Sequence, residues 1–169
     1  MHPPALRAVL FAGEPYPVRY LRQLRDHLPG VRLLNLYGPT ETNVCTWYEV
    51  TAVPPEQTRP APIGRACCGD RVWAIRDDGA PAPPGEEGEL VVDGPTVMLG
   101  YWEQPPAGRP YRTGDRVVLA EDGNYHYLGR RDGMVKVRPS CSGPSSARMM
   151  EPSPRSCPPS PDRRTGSTR

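Results

Sequence analysis

The sequence predicts a mixed α/β plus β chain. It reads as the C-terminal edge of a doubly wound α/β sheet, then a small distorted β-barrel subdomain, then a disordered tail. Three observations predict this. A strand–helix–strand pattern fills residues 6–36, and short apolar runs separated by Gly/Asp/Pro turns follow between 71 and 137. Beyond residue 138 there is no Leu, Ile, Val, Phe, Trp or Tyr at all. The expected boundaries are 1–50 for the α/β edge, 51–138 for the β subdomain and 139–169 for the tail.

Leu6 to Phe11 reads as a strand, ended by Ala12-Gly13-Glu14-Pro15. Residues 17–28 suit a helix, because Val18, Leu21, Leu24 and Leu28 fall on one face with Arg19, Arg22 and Arg25 opposite. Gly30 closes it, as a residue tolerant of positive φ does. A second apolar run, Val31 to Leu36, suits a buried strand. It stops at Tyr37-Gly38-Pro39-Thr40-Glu41, where Gly-Pro forces a turn. Such a turn gathers an aromatic face, a hydroxyl and a carboxylate at a strand's carboxyl end, where α/β sheets place ligands. By themselves these residues equally suit a strand-ending turn with a half-buried Tyr. Residues 50–62 are Pro-rich and extended. Strands are then expected at 71–76, 89–92, 116–120, 124–128 and 134–137, with turns at 77–79, 121–123 and 131–133.

Composition narrows the function classes. The chain holds 24 Pro and 17 Gly, and its mean hydropathy is −0.60, odd for a compact domain. Seven Pro, eight Ser and five Arg lie in 139–169, a segment that cannot bury enough apolar surface to offset the entropy of ordering it. Net charge is +2, and the tail contributes +3 of it, from five Arg against Glu151 and Asp162. The body is near neutral, which argues against nucleic acid as a partner. Cys45, Cys67, Cys68, Cys141 and Cys157 show no zinc or Cys-x-x-Cys spacing. An odd cysteine count, no signal peptide and no long apolar run lead us to expect a cytoplasmic protein with no membrane partner.

Four strings stand in order: Tyr37-Gly38-Pro39-Thr40-Glu41, Gly88-Glu89-Leu90-Val91-Val92-Asp93-Gly94, Tyr111-Arg112-Thr113-Gly114-Asp115 and Gly129-Arg130-Arg131-Asp132-Gly133. The ordered set resembles the adenylate-forming ligases, and within them the amino-acid adenylation domains of nonribosomal peptide synthesis, over roughly residues 6–138. The resemblance implies a two-step reaction using ATP and Mg²⁺. An amino acid becomes an aminoacyl-AMP with release of pyrophosphate, and a peptidyl carrier protein then takes the acyl group on its phosphopantetheine thiol.

Carried over by residue, the resemblance implies that Tyr37 and Gly38 meet adenine, with Ala12, Gly13 and Glu14 lining the base's other side and Tyr127 beside it. Thr40 would bond the α-phosphate and Glu41 would hold Mg²⁺; these two are the expected catalytic residues. Asp115 and Arg130 would hold the ribose, and Asp132 would be the hinge of a C-terminal lid. The acyl pocket would include Leu10, Ala12, Leu36, Val44 and Cys45, all apolar and modest in size, for an uncharged side chain. Thr42 to Val50 looks like the stand-alone proline-activating members, with an aromatic amino acid as the next candidate.

The resemblance is also incomplete. The family's Ser/Thr/Gly-rich triphosphate loop, the Asp that anchors the substrate's amino group and the lid lysine have no match here; Lys136, the only lysine, reads as an exposed strand residue. After Arg138 the family pattern breaks at Pro139, as a frame shift into an out-of-frame tail would produce. The expectation is an enzyme fragment inactive by itself. The alternatives are a non-catalytic remnant or nucleotide-binding module, and a fragment of an acyl-CoA ligase.

Overall fold

The computed structural model describes residues 5–131. Strand β1 (Ala8–Ala12), helix α1 (Val18–His27) and strand β2 (Arg32–Tyr37) form a crossover unit in which β1 and β2 run parallel. The register pairs Ala8 with Arg32 and Ala12 with Leu36, so both strands end on the same side. Parallel neighbours need such a crossover, and α1 supplies it. The helix buries Leu21 against Val9, Phe11 and Leu33, with Val50 and Val53 completing this first core. Leu21 and Leu33 are fully buried, each contributing about 1.5–3 kcal/mol of transfer free energy.

The polar face of α1 is not idle. Arg22 donates to the carbonyls of Val53, Pro54, Pro55 and Gln57, which fastens the Pro-rich segment to the helix. Arg25 donates to the carbonyls of Leu28 and Val31, near the helix end where C=O groups lack intrahelical partners.

The same sheet continues through two strands the sequence did not predict. Strand β3 (Thr46–Glu49) pairs antiparallel with β2, and β4 (Arg65–Ala66) pairs with β3. The second sheet is β5 (Arg71–Ile75), β6 (Glu87–Asp93), β7 (Tyr111–Leu119) and β8 (Tyr125–Arg130), antiparallel throughout and in that order. Its core is Ala74, Leu90, Val92, Val97, Val117 and Tyr125, joined by Ile63 and Cys45.

Among the described residues this second sheet is open, with β5 and β8 at its edges, and does not close into the expected barrel. What joins the two sheets is the backbone at 63–66: Gly64 exchanges hydrogen bonds with Tyr125 while Arg65 and Ala66 pair with β3. Glycine is required there, since a Cβ on Gly64 would stand 1.9 Å from the Trp47 carbonyl oxygen at a φ of +84°.

Strand β7 is longer than predicted. It starts at Tyr111 instead of residue 116, so Tyr-Arg-Thr-Gly-Asp lies inside the strand. The expected strand at 134–137, Lys136, the hinge Asp132 and the tail at 139–169 lie outside the described residues.

Candidate functional site

Two structural halves meet at the carboxyl ends of β1 and β2. The first is the turn from Gly38 to Cys45. A Cβ on Gly38 would lie 1.4 Å from the Asn43 carbonyl oxygen, so only glycine lets the chain double back this tightly. The doubled path is held by the Cys45 N–H to the Tyr37 carbonyl (2.9 Å) and the Thr42 N–H to the Pro39 carbonyl (3.1 Å). Asn43 takes a φ of +51°, which Asn tolerates better than most residues, and its Oδ1 accepts the Val44 N–H at 2.8 Å. Thr42 is fully buried under the turn, whereas Thr40 is exposed on it.

Glu41 is half-buried and clasped by a different part of the chain. Tyr101 Oη donates to its Oε1 at 2.7 Å, and its backbone carbonyl accepts the Met98 N–H at 2.8 Å. The Tyr101 hydrogen bond holds the Glu41 carboxyl below the ordinary carboxylate range.

The second half is the corner of β7 and β8. Asp115 is buried on β7, where its Oδ2 accepts a short hydrogen bond from Tyr37 Oη and its Oδ1 lies 3.6 Å from Arg130 Nη1. The ring of Tyr127 sits 6.2 Å from that of Tyr37, tilted by 42°. Burial first, and the Asp115 charge second, raise the Tyr37 phenol far above its ordinary value, so it stays a donor at any physiological pH. Cys45, packed in the core beside it, is pushed up to about 11, chiefly by burial.

Glu89 underlies this corner. Register shifts at Glu89/Val91 and at Arg116/Val117 break the even ladder of β6, β7 and β8. Such bulges leave backbone groups to be satisfied by something other than the ladder. Side chains do so here. Glu89 Oε1 accepts the Gly114 N–H (3.1 Å), and Thr113 Oγ1 accepts the Asp115 N–H (3.1 Å) while donating to the Leu90 carbonyl (2.8 Å). Gly114 itself sits at φ +72°, a left-handed conformation that favours glycine. Glu89 Oε2 pairs with Arg112 at 2.5 Å and with Arg131 at 3.4 Å. Burial alone would raise the Glu89 carboxyl. The Arg112 hydrogen bonds, the Gly114 N–H and the charges of Arg112 and Arg131 together hold it below the ordinary range.

The structure therefore brings Tyr37, Tyr127, Asp115 and Arg130 together, with Glu41 and Thr40 on the adjoining turn. Ala12 pairs with Leu36, so Gly13 and Glu14 leave β1 beside Tyr37. Among the described residues, chain neighbours aside, no atom lies within 4 Å of where a Gly13 Cβ would stand. Leu10, Ala12 and Leu36 share the sheet face opposite Val9, Phe11 and Leu33, which pack against α1. Leu10 is 59% exposed there, Val44 is half-buried, and Cys45 is wholly buried with its thiol directed to the Tyr37 carbonyl at 3.6 Å. Among the described residues no three His, Cys, Asp or Glu side chains cluster to hold a metal, so Glu41 offers a single carboxylate. That suits Mg²⁺, which commonly binds through one or two carboxylates plus substrate phosphates.

A cavity of about 520 Å³ is lined by Glu89 and Arg131 together with Arg76, Asp77, Glu86, Glu87 and Arg116, and touches none of Tyr37, Glu41 and Asp115. Its arginines are ion-paired (Arg76 with Glu86, Arg116 with Glu87, Arg131 with Asp77 and Glu89), and five acids against three arginines leave the lining net acidic. Sequence reasoning missed Tyr101, Thr113 and the part played by Glu89. Glu89 stood inside a quoted string, but nothing in the string marks it as the partner of two arginines.

Residues 2–102 match the model of the AMP-binding enzyme family. A protein of Pseudomonas fluorescens, named L-proline--[L-prolyl-carrier protein] ligase, is 61% identical over 133 residues, covering 79% of this chain and 27% of its own length. A Streptomyces coelicolor protein of the same name is 46% identical, with 80% and 27% covered. Among solved structures, PA1221, an NRPS protein containing adenylation and PCP domains, superposes with a TM-score of 0.68 at 34% identity, covering 79% of this chain and 30% of the other. The chain thus spans about a quarter of the length of the curated relatives it matches.

Proposed function

Because this chain belongs to the AMP-binding enzyme family, we propose that it is a piece of an amino-acid-activating adenylation enzyme, and that the amino acid is proline. The observation that carries this reading is the corner of Tyr37, Asp115 and Arg130 set beside Glu41. The choice of proline rests on the two relatives named for prolyl transfer to a carrier protein. In the whole enzyme the reaction would join ATP and proline into prolyl-AMP, release pyrophosphate, and pass the prolyl group to the phosphopantetheine thiol of a carrier protein.

On this reading Tyr37 and Tyr127 flank adenine, with Gly38 next to Tyr37 and the backbone of Ala12, Gly13 and Glu14 along the base's other side. Asp115 accepts hydrogen bonds from the ribose hydroxyls, with Arg130 fixing that carboxylate from the other side. Thr40 donates to the α-phosphate. Glu41 is the chain's ligand for Mg²⁺, which when bound supplies charge neutralisation to the phosphates. Leu10, Ala12, Leu36 and Val44 give an apolar wall suited to the proline ring, whereas Cys45, sealed in the core beneath Tyr37, backs the turn without facing that wall. Catalysis by such parts is positioning and electrostatics, with no covalent step on the protein.

Asp132 is assigned as the hinge. Residues 1–50 are assigned to the edge of the α/β core and 51–138 to a β subdomain. A cytoplasmic location fits this assignment, and no helix among the described residues is long and apolar enough to cross a membrane.

The test is a transplant. Residues 5–131 replace the matching segment of the Pseudomonas fluorescens relative, and proline-dependent ATP–pyrophosphate exchange is measured. Exchange within about tenfold of the parent is expected, as for a segment whose contacts are preserved. A folded chimera without exchange would reject the reading. The 169-residue chain by itself is expected to give no exchange above background.

A further inference from the structure

We propose that Glu89 is a positioning residue for ribose recognition: its carboxylate, which contacts no nucleotide, sets Asp115 and Arg130 in place. This deepens, and rests on, the nucleotide reading of the preceding subsection. Three observations carry it.

Glu89 is the point where three of the four ordered strings are tied together. From its place on β6 it holds the Gly114 N–H of Tyr-Arg-Thr-Gly-Asp, the Arg112 guanidinium of the same string, and Arg131 of Gly-Arg-Arg-Asp-Gly. Two of the three residues it holds are the immediate neighbours of the two that face each other, Gly114 beside Asp115 and Arg131 beside Arg130. Arg131 is fastened a second time, its backbone N–H donating to the Gly114 carbonyl at 2.8 Å. A link between Gly114 and Arg131 therefore closes on both the backbone and the side-chain side.

The β7–β8 ladder sets Asp115 opposite Arg130, but it does not hold Asp115 from the β6 side. There the register jumps from Glu89–Arg116 to Val91–Arg112, and residues 113–115 are left without a β6 ladder partner. A left-handed residue at 114 has to be pinned by its N–H, and the group that pins it is a carboxylate, an acceptor about twice as strong as a neutral oxygen.

The cost of that carboxylate's burial is met on the spot. Glu89 is 9% exposed, yet it has charge-assisted bonds to Arg112 and an ion pair to Arg131, both of them half-exposed. A buried acid supplied with two cations and a backbone donor is a committed structural choice, since an uncompensated one would be expelled or neutralised. Arg131 also reaches Asp77 at 3.1 Å, so its side chain spans from the β5 end to the β6–β7 corner.

The measurement compares AMP with 2′,3′-dideoxy-AMP, which lacks both ribose hydroxyls, as ligands of the whole 169-residue chain by ligand-observed NMR titration. The wild type is expected to favour AMP by about fivefold or more, the value of one charge-assisted hydrogen bond. Asp115→Asn removes that preference. Glu89→Gln is expected to bring the ratio to within about twofold of one while leaving dideoxy-AMP affinity within about twofold of wild type. Arg131→Met, at a half-exposed site that folding tolerates, is expected to lower the ratio by about twofold or more; it decides the matter if Glu89→Gln fails to fold.

Loss of both affinities in equal proportion in Glu89→Gln would make the residue merely structural and overturn the proposal. So would an unchanged ratio in Glu89→Gln or, if that variant does not fold, in Arg131→Met, while Asp115→Asn abolishes it. If wild type binds no AMP, or Asp115→Asn leaves the ratio intact, the nucleotide reading itself falls and the proposal with it.

Discussion

The two halves of the site are built by opposite means. The turn from Gly38 to Cys45 is shaped by backbone sterics: a single missing Cβ lets the chain fold back on Asn43, and the side chains it presents, Thr40 and Glu41, lie at or near the surface. The β6–β8 corner is shaped by side chains. There the buried carboxylates of Glu89 and Asp115 decide where strands with shifted register come to rest. A steric device is indifferent to pH and salt. An electrostatic one is sensitive to pH through its carboxylates, and to salt only as far as its cations are exposed. One site therefore offers two separable ways to fail.

The largest expected effect falls on the turn. Gly38→Ala places a methyl group inside the Asn43 carbonyl and should cost more than about 3 kcal/mol of unfolding free energy, read by urea denaturation. A loss under about 1 kcal/mol would show that the turn can relax and would weaken the contrast. Next comes the corner. Asp115→Asn strips the charge partner from Arg130 and weakens the bond from Tyr37, which should cost about 1–3 kcal/mol in the same assay.

The third prediction separates the halves by pH. The Glu89 carboxyl is held below its ordinary value, so its stabilisation is fully present above the unfolded value of about 4.3 and is lost as pH falls through the lower folded one. Acidification below about pH 5 should therefore lower wild-type stability, and Glu89→Gln should flatten that part of the profile. Gly38→Ala should shift the whole profile downward without altering its slope. The smallest effect belongs to Tyr101→Phe. The Tyr101 ring is 55% exposed, so removing its hydroxyl from Glu41 should change stability by no more than about 1 kcal/mol.

The sequence was most readable where periodicity and local chemistry act alone. The apolar face of α1 and strands β1 and β2 follow from spacing, and the first core forms from those side chains. Strand β3 was hidden because its four residues follow directly on the turn, too short for alternation to register. The open second sheet differs from the expected barrel because closure depends on how the edges of β5 and β8 are met, which alternation does not encode. Arg22 and Arg25 were placed correctly on the polar face of α1, but their bonds to carbonyls near its end and on the Pro-rich segment follow from the tertiary path. Glu89 was illegible for a related reason. Its partners lie 23 to 42 residues away and meet only through the pairing of β6, β7 and β8. Of the site, Tyr37, Asp115 and Arg130 stood in the quoted strings and Tyr127 came from the resemblance beside them, and the structure gathers all four.

The thiols around the turn have a practical consequence. Cys68 is exposed, Cys67 is partly covered with its thiol directed to the Val44 carbonyl, and Cys45 is sealed beneath Tyr37. Burial pushes Cys67 up to about 12 and Cys45 to about 11, so each is sluggish toward alkylation until uncovered. Alkylation read peptide by peptide would then act as a built-in clock. The lag between Cys68 and Cys45 would time how often the floor beneath Tyr37 breathes open, with no probe added to the protein.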